Sequence, residues 1–127
     1  MNLKFDKEID DVRGKIIFYS YNNMKINLIE TKKGFARGGH YHKYEQDHTL
    51  ISGQVEVRFY DISSNQETTQ VFNAPSIIHI PKNIAHLFIA LEDSIFIETS
   101  DSEYEITNFP NYRQIVEEKM NHYYSKT

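Results

Sequence analysis

With 127 residues, 39% of them hydrophobic and 25% charged, the chain is long enough to bury a real core and short enough to predict one domain spanning 1–127. The formal net charge of -4 excludes a general nucleic-acid-binding face, which needs a basic surface, and no apolar run approaches the roughly 20 residues of a membrane span. Without cysteine there is no disulfide, thiolate ligand or thiol nucleophile; with no signal-peptide pattern at the start, this predicts a cytoplasmic protein.

Short β-type runs dominate from the N-terminal side onward. Lys15–Ser20 and Met24–Glu30 cluster β-branched and aromatic residues on either side of a hairpin-like turn at Tyr21, Asn22 and Asn23. Thr49–Ser52 and Gln54–Tyr60 read as two strands hinged at Gly53. In the second of them Val55, Val57 and Phe59 share one face, and Glu56, Arg58 and Tyr60 the other. After a polar loop from Ile62, the runs Thr68–Phe72, Ser76–Ile80, His86–Leu91 and Ser94–Thr99 follow, punctuated by Pro75, Pro81 and Asp93. Roughly eight to ten short strands at this spacing predict an all-β antiparallel sandwich or barrel over about 14–107. The tail differs: Tyr112, Ile115, Val116, Met120 and Tyr123 fall at helical spacing, and Pro110 suits a first turn. This predicts an amphipathic helix over about 110–124, packed on the barrel or on a partner subunit.

The segment from Gly34 to His48 carries the chemistry. His40 and His42 are two residues apart, so in an extended chain both imidazoles point to one face, and Gln46 and His48 keep the same parity if no bulge intervenes. His86, about forty residues on, can close the cluster from a neighbouring strand. Three imidazoles with an amide oxygen suit one borderline divalent metal: Zn, Ni, Mn or Fe. The predicted metal ligands are therefore His40, His42, Gln46 and His86. His48 is a neighbour, a further ligand or an acid/base group, against the plainer reading of a satisfied interior histidine. His79, flanked by Ile78 and Ile80, should face away from that pair, and Glu45 away from Gln46.

Gly34, His40, His42 and Gly53 fall on the first motif of the cupin family, with Gln46 in its glutamate slot. Pro81 and His86 fall on the second, where Asn83 replaces a glycine and Ala90 an asparagine. Over roughly 25–98 the chain resembles a small single-domain cupin, which implies a jelly-roll barrel of two antiparallel sheets with a C-terminal helix. The histidine segment is similar to the pectin-degradation, uronate-ketonising cupins, in which three His and one Gln hold the metal. Arg37, the His pair and Lys43, together with Ser102-Glu-Tyr104, are also similar to cupins acting on nucleotide-linked keto-sugars.

The neutral amide of Gln46 leaves the bound metal more Lewis-acidic than a carboxylate would, which favours polarising a carbonyl or enol. The expectation is a metal-dependent isomerase or tautomerase of a small sugar- or sugar-acid-derived substrate. The alternatives are an Fe(II)-dependent dioxygenase, a nucleotide-sugar ketoisomerase and a non-catalytic binding module. His48, Tyr60 and Glu98 are the predicted proton-transfer groups. Arg37, Arg58 and Phe88 are the predicted substrate contacts, Arg37 because its planar fork can clamp a carboxylate or phosphate. The expected partners are a small-molecule substrate and a second subunit in a homodimer, with no nucleic acid and no membrane.

Overall fold

The structure, a computed structural model, describes residues 2–100 and 105–126. Eleven strands precede one helix among these residues: β1 (Leu3–Asp11), β2 (Gly14–Tyr21), β3 (Met24–Thr31), β4 (Ala36–Tyr41), β5 (Gln46–Ser52), β6 (Gln54–Asp61), β7 (Gln66–Asn73), β8 (Ser76–Ile80), β9 (Ile84–Ala90), β10 (Ser94–Ser100), β11 (Thr107–Asn108) and α1 (Pro110–Ser125). They form two antiparallel sheets, the first in the order β1-β2-β3-β10-β5-β8 and the second β11-β4-β9-β6-β7. The segment carrying Ser102 and Tyr104 lies outside the described residues.

Alternation along each strand decides what lies between the sheets. In β5 the residues Gln46, His48 and Leu50 are buried while Asp47, Thr49 and Ile51 are exposed, the period of two of a half-covered strand. Leu50, Val55, Val57, Ile78, Ile80, Phe88 and Phe96 meet from both sheets as the barrel core. Strand β9 is buried on both faces. His86, Phe88 and Ala90 alternate with Ala85, Leu87 and Ile89, and the latter three sit under α1 with Ala36, Tyr112 and Val116. That double burial explains why its sequence reads as a nearly unbroken apolar run. Pro110 opens the helix without a side-chain cap; instead Phe109 stacks on Tyr60 at 4.7 Å and meets Tyr112 edge-on at 4.9 Å.

The hairpin turn at Asn22 and Asn23 falls where expected, with Asn22 at φ 54. Strand β1 was not expected. Its charged residues Lys4, Asp6, Lys7, Glu8 and Asp10 hide the pattern, and a register slip between Phe5 and Lys7 breaks the alternation of Leu3, Phe5 and Ile9.

Candidate metal centre

Two glycines aim the first histidine. Gly38 and Gly39 hold φ of 99° and 83°, and the pairing of β4 with β9 slips between Gly38 and His40. Only glycine adopts this backbone without strain. The extra residue lets Arg37 and His40, three apart, both turn into the barrel, and it sets His40 directly across from His86. Neither glycine has room for a side chain: a Cβ on Gly38 would sit 2.8 Å from the His86 carbonyl oxygen, and one on Gly39 would sit 2.7 Å from Cδ of Arg113.

His40, His42 and His86 converge, each offering a ring nitrogen, with those atoms all within 4.8 Å of one another. Ring centroids lie 4.9 Å apart for His40 and His42, and 4.7 Å for His40 and His86. His42 directs Nδ1 at the carbonyl oxygen of Glu105, 3.1 Å away; a proton there leaves Nε2 as the ligating atom. Burial, reinforced by the neighbouring imidazoles, lowers the pKa of all three, that of His40 to about 4. They are neutral at pH 7, the form that binds a cation.

Gln46 and His48 arrive on β5 with the parity read from the sequence. Gln46 is buried, and neither its amide oxygen nor its amide nitrogen has a hydrogen-bond partner. A buried amide left so is costly, and a cation beside its oxygen would satisfy it. Metal–nitrogen bonds of about 2.0–2.1 Å put the nitrogens of a tetrahedral site about 3.4 Å apart, so the rings would turn inward to close on an ion. The residues present fit a divalent ion.

Beside the cluster is a second buried unit. His48 Nε2 lies 2.8 Å from Glu98 Oε2, and Asn27 donates to the other carboxylate oxygen at 2.9 Å. Burial opposes ionisation of Glu98, but the bonds from His48 and Asn27 outweigh it and hold the carboxyl below its usual range. His48 Nδ1 is buried and has no hydrogen-bond partner. The His48 ring is 5.9 Å from that of His86 and 4.8 Å from that of Phe88, which floors the site. Asn27 was not anticipated, although it shares the inward parity of Ile29, a polar residue on an otherwise apolar face.

Three anticipated residues are not brought to the cluster. Tyr60 and Arg58 lie on the outer face of β6, because Val55 and Val57 point inward and alternation sends their neighbours out. Tyr60 packs on Phe109 and donates to Asn65, and Arg58 pairs with Glu56 at 2.9 Å. Arg37 does turn inward, but its guanidinium donates to the carbonyl oxygens of Glu30 and Gly14 and to Thr31 Oγ1. These acceptors lie at the Gly14 end of β2 and the Thr31 end of β3, while Asn27 is in mid-strand, so Arg37 braces that end of the barrel rather than the cluster. His79, Glu45 and His122 are exposed, His79 pairing with Asp47 at 2.6 Å.

Two facing antiparallel sheets with a histidine cluster inside one end define a cupin jelly roll. Solved structures show the same fold: Bacillus subtilis oxalate decarboxylase, described with Mn(II) centres, matches with a TM-score of 0.69 and 18% identity over 81% of this chain and 30% of its own. The capsular polysaccharide assembling protein CapF from Staphylococcus aureus matches with a TM-score of 0.60 and 17% identity over 78% and 28%. The chain thus spans less than a third of these neighbours. No protein-family model and no curated protein matches it. Among the described residues, no helix is long and apolar enough to cross a membrane.

Proposed function

We propose that this chain is a metal-dependent isomerase or tautomerase of a small sugar- or sugar-acid-derived substrate, with His40, His42, His86 and Gln46 holding one divalent ion. The observation that carries the reading is the buried His48–Glu98 pair beside a neutral donor set. A Lewis acid held there supplies polarisation of a carbonyl or enol oxygen. A keto–enol shift moves one proton between the oxygen and the α carbon, and an aldose–ketose shift moves one from C2 to C1 and one from O2 to O1, in both cases with no net oxidation. With the proton on Nε2 shared toward Glu98, His48 keeps the lone pair of Nδ1 for that work. Taking the substrate proton makes an imidazolium that the Glu98 carboxylate stabilises, and delivering it to the acceptor carbon restores the starting state of the pair. Asn27 holds the carboxylate in place, and Phe88 keeps water from beneath the site. The polysaccharide-assembling neighbour agrees with the substrate class.

The test is metal analysis of untagged protein, combined with turnover of unsaturated uronates and keto-sugars and an oxygen electrode. A stoichiometric metal and product formation without oxygen uptake are expected. Iron with oxygen consumption would replace the reading by a dioxygenase, and a bound metal without turnover of any such substrate would leave a binding module.

A further inference from the structure

Strand β4, which carries His40, is weakly held on both sides. Its pairing with β9 slips at Gly39, and on its outer side the sheet ends in β11, a strand of two residues. A bulged strand next to a sheet edge has few ladder bonds and opens readily, yet His40 must leave it with its ring aimed. The chain from β11 into the first turn of α1 supplies what the ladder lacks. Thr107 and Asn108 pair with Tyr41 and His40. The Phe109 amide donates to the carbonyl of Gly39, the residue left out of the β9 pairing, at 2.8 Å. Arg113 Nη1 donates to the carbonyl of Gly38 at 2.9 Å. Cδ, the backbone nitrogen and Cα of Arg113 lie 2.7, 2.9 and 3.1 Å from where a Cβ on Gly39 would stand, so the helix sits on the bulge itself.

Most of these contacts are backbone bonds that any residue could make; the bond to Gly38 needs the arginine. Its other terminal nitrogen faces Glu117 at 3.9 Å, a pair exposed by 34% and 64% that contributes little. The bond to Gly38 is charge-assisted and partly buried, so it is the stronger of the two. The Gly38 carbonyl belongs to the same planar peptide as the Gly39 nitrogen. Fixing that oxygen therefore fixes the plane from which the 83° φ of Gly39 starts, and with it the direction in which His40 departs. An ion requires ring nitrogens now spread within 4.8 Å to close to about 3.4 Å, and a bulge free to shift would pay for that closure in lost order. We propose that Arg113 is a positioning residue for the metal centre: from outside the barrel it locks the Gly38–Gly39 bulge in the register that aims His40 at His42 and His86. This rests on the reading of His40 as a metal ligand.

Zn(II) titration of the metal-stripped full chain against a competing chelator tests this. Arg113→Met keeps a stem over Gly39 and deletes the donor, and should weaken Zn(II) binding by about 10-fold or more. Arg113→Lys, which can still donate to the Gly38 carbonyl, should restore most of that loss, and Glu117→Gln should change nothing. A second readout needs no variant. Coupling between two sites is reciprocal, so Zn(II) should slow hydrogen exchange at the Phe109 amide of the native chain, and less so in Arg113→Met. An arginine that merely fastened the helix would lower stability to urea and leave both readouts unmoved. Zn(II) affinity in Arg113→Met within about twofold of native, or no Zn(II)-dependent protection at Phe109, overturns the proposal and leaves the metal centre standing. A native chain that takes up no Zn(II) overturns both.

Discussion

His48 and Glu98 face each other across β5 and β10 and share a 2.8 Å hydrogen bond inside the barrel, one ring away from His86. A carboxylate that orients an imidazole and stabilises its protonated form is worth most where water is excluded. Replacing His48 by Asn, or Glu98 by Gln, should lower kcat by about 100- to 10,000-fold while bound metal stays stoichiometric. Steady-state kinetics paired with elemental analysis checks this; loss of metal in parallel with kcat would instead place His48 among the ligands.

Removing a ligand should behave oppositely. His86→Ala leaves two imidazoles and should weaken metal binding by roughly 100-fold or more, whereas Gln46→Glu should tighten it through the added negative charge. Isothermal titration calorimetry of the metal-free variants reads both. Full metal occupancy in His86→Ala would contradict the ligand assignment.

Gly39→Ala tests the bulge that aims His40. The new methyl meets Arg113 at a φ of 83°, so about 1–3 kcal/mol of strain is expected, measured by urea unfolding. Metal affinity should fall with it, because the slip that places His40 opposite His86 is lost.

The metal-free protein should be sensitive to acid. His40, His42 and His86 are held below the 6.5 of an ordinary imidazole, that of His40 at about 4, chiefly by burial. As pH falls below 6.5 the unfolded chain takes up protons that the folded chain refuses. The stability present above pH 6.5 is therefore lost as pH drops toward 4. Melting temperatures across this range should decline, and more shallowly in His40→Asn.

Leu87 is fully buried between β9 and α1, so Leu87→Ala should cost about 2–5 kcal/mol in urea unfolding. Tyr112→Phe, which deletes the 2.6 Å hydrogen bond to Glu67, should cost only about 1 kcal/mol.

The parity of His40, His42, Gln46 and His48 was legible because spacing along a strand is a local property, and the helix was legible because its apolar stripe has a period of its own. The two faces of β6 were also separable from alternation, and the apolar face of Val55, Val57 and Phe59 is the one that packs inward. Tyr60 and Arg58 were nevertheless expected at the site and lie outside it. Arg37 shows a related difficulty. Its residue type suits a substrate clamp, yet its acceptors, the backbone carbonyls of Gly14 and Glu30, are contributed by a neighbouring sheet.

By itself, then, the sequence determined the strand-rich architecture, the C-terminal helix and the set of histidines able to meet. It also determined the neutral Gln46 where a carboxylate is usual. Tertiary structure decided which residues share an interior. It joined Asn27 and Glu98 to His48 and turned Arg37 away from the cluster. The physical reason is that strand pairing brings together residues distant in the chain, as Asn27 and Glu98, 71 apart, are. Register between strands depends on bulges and on the packing of both sheets at once, and neither is written in any single segment.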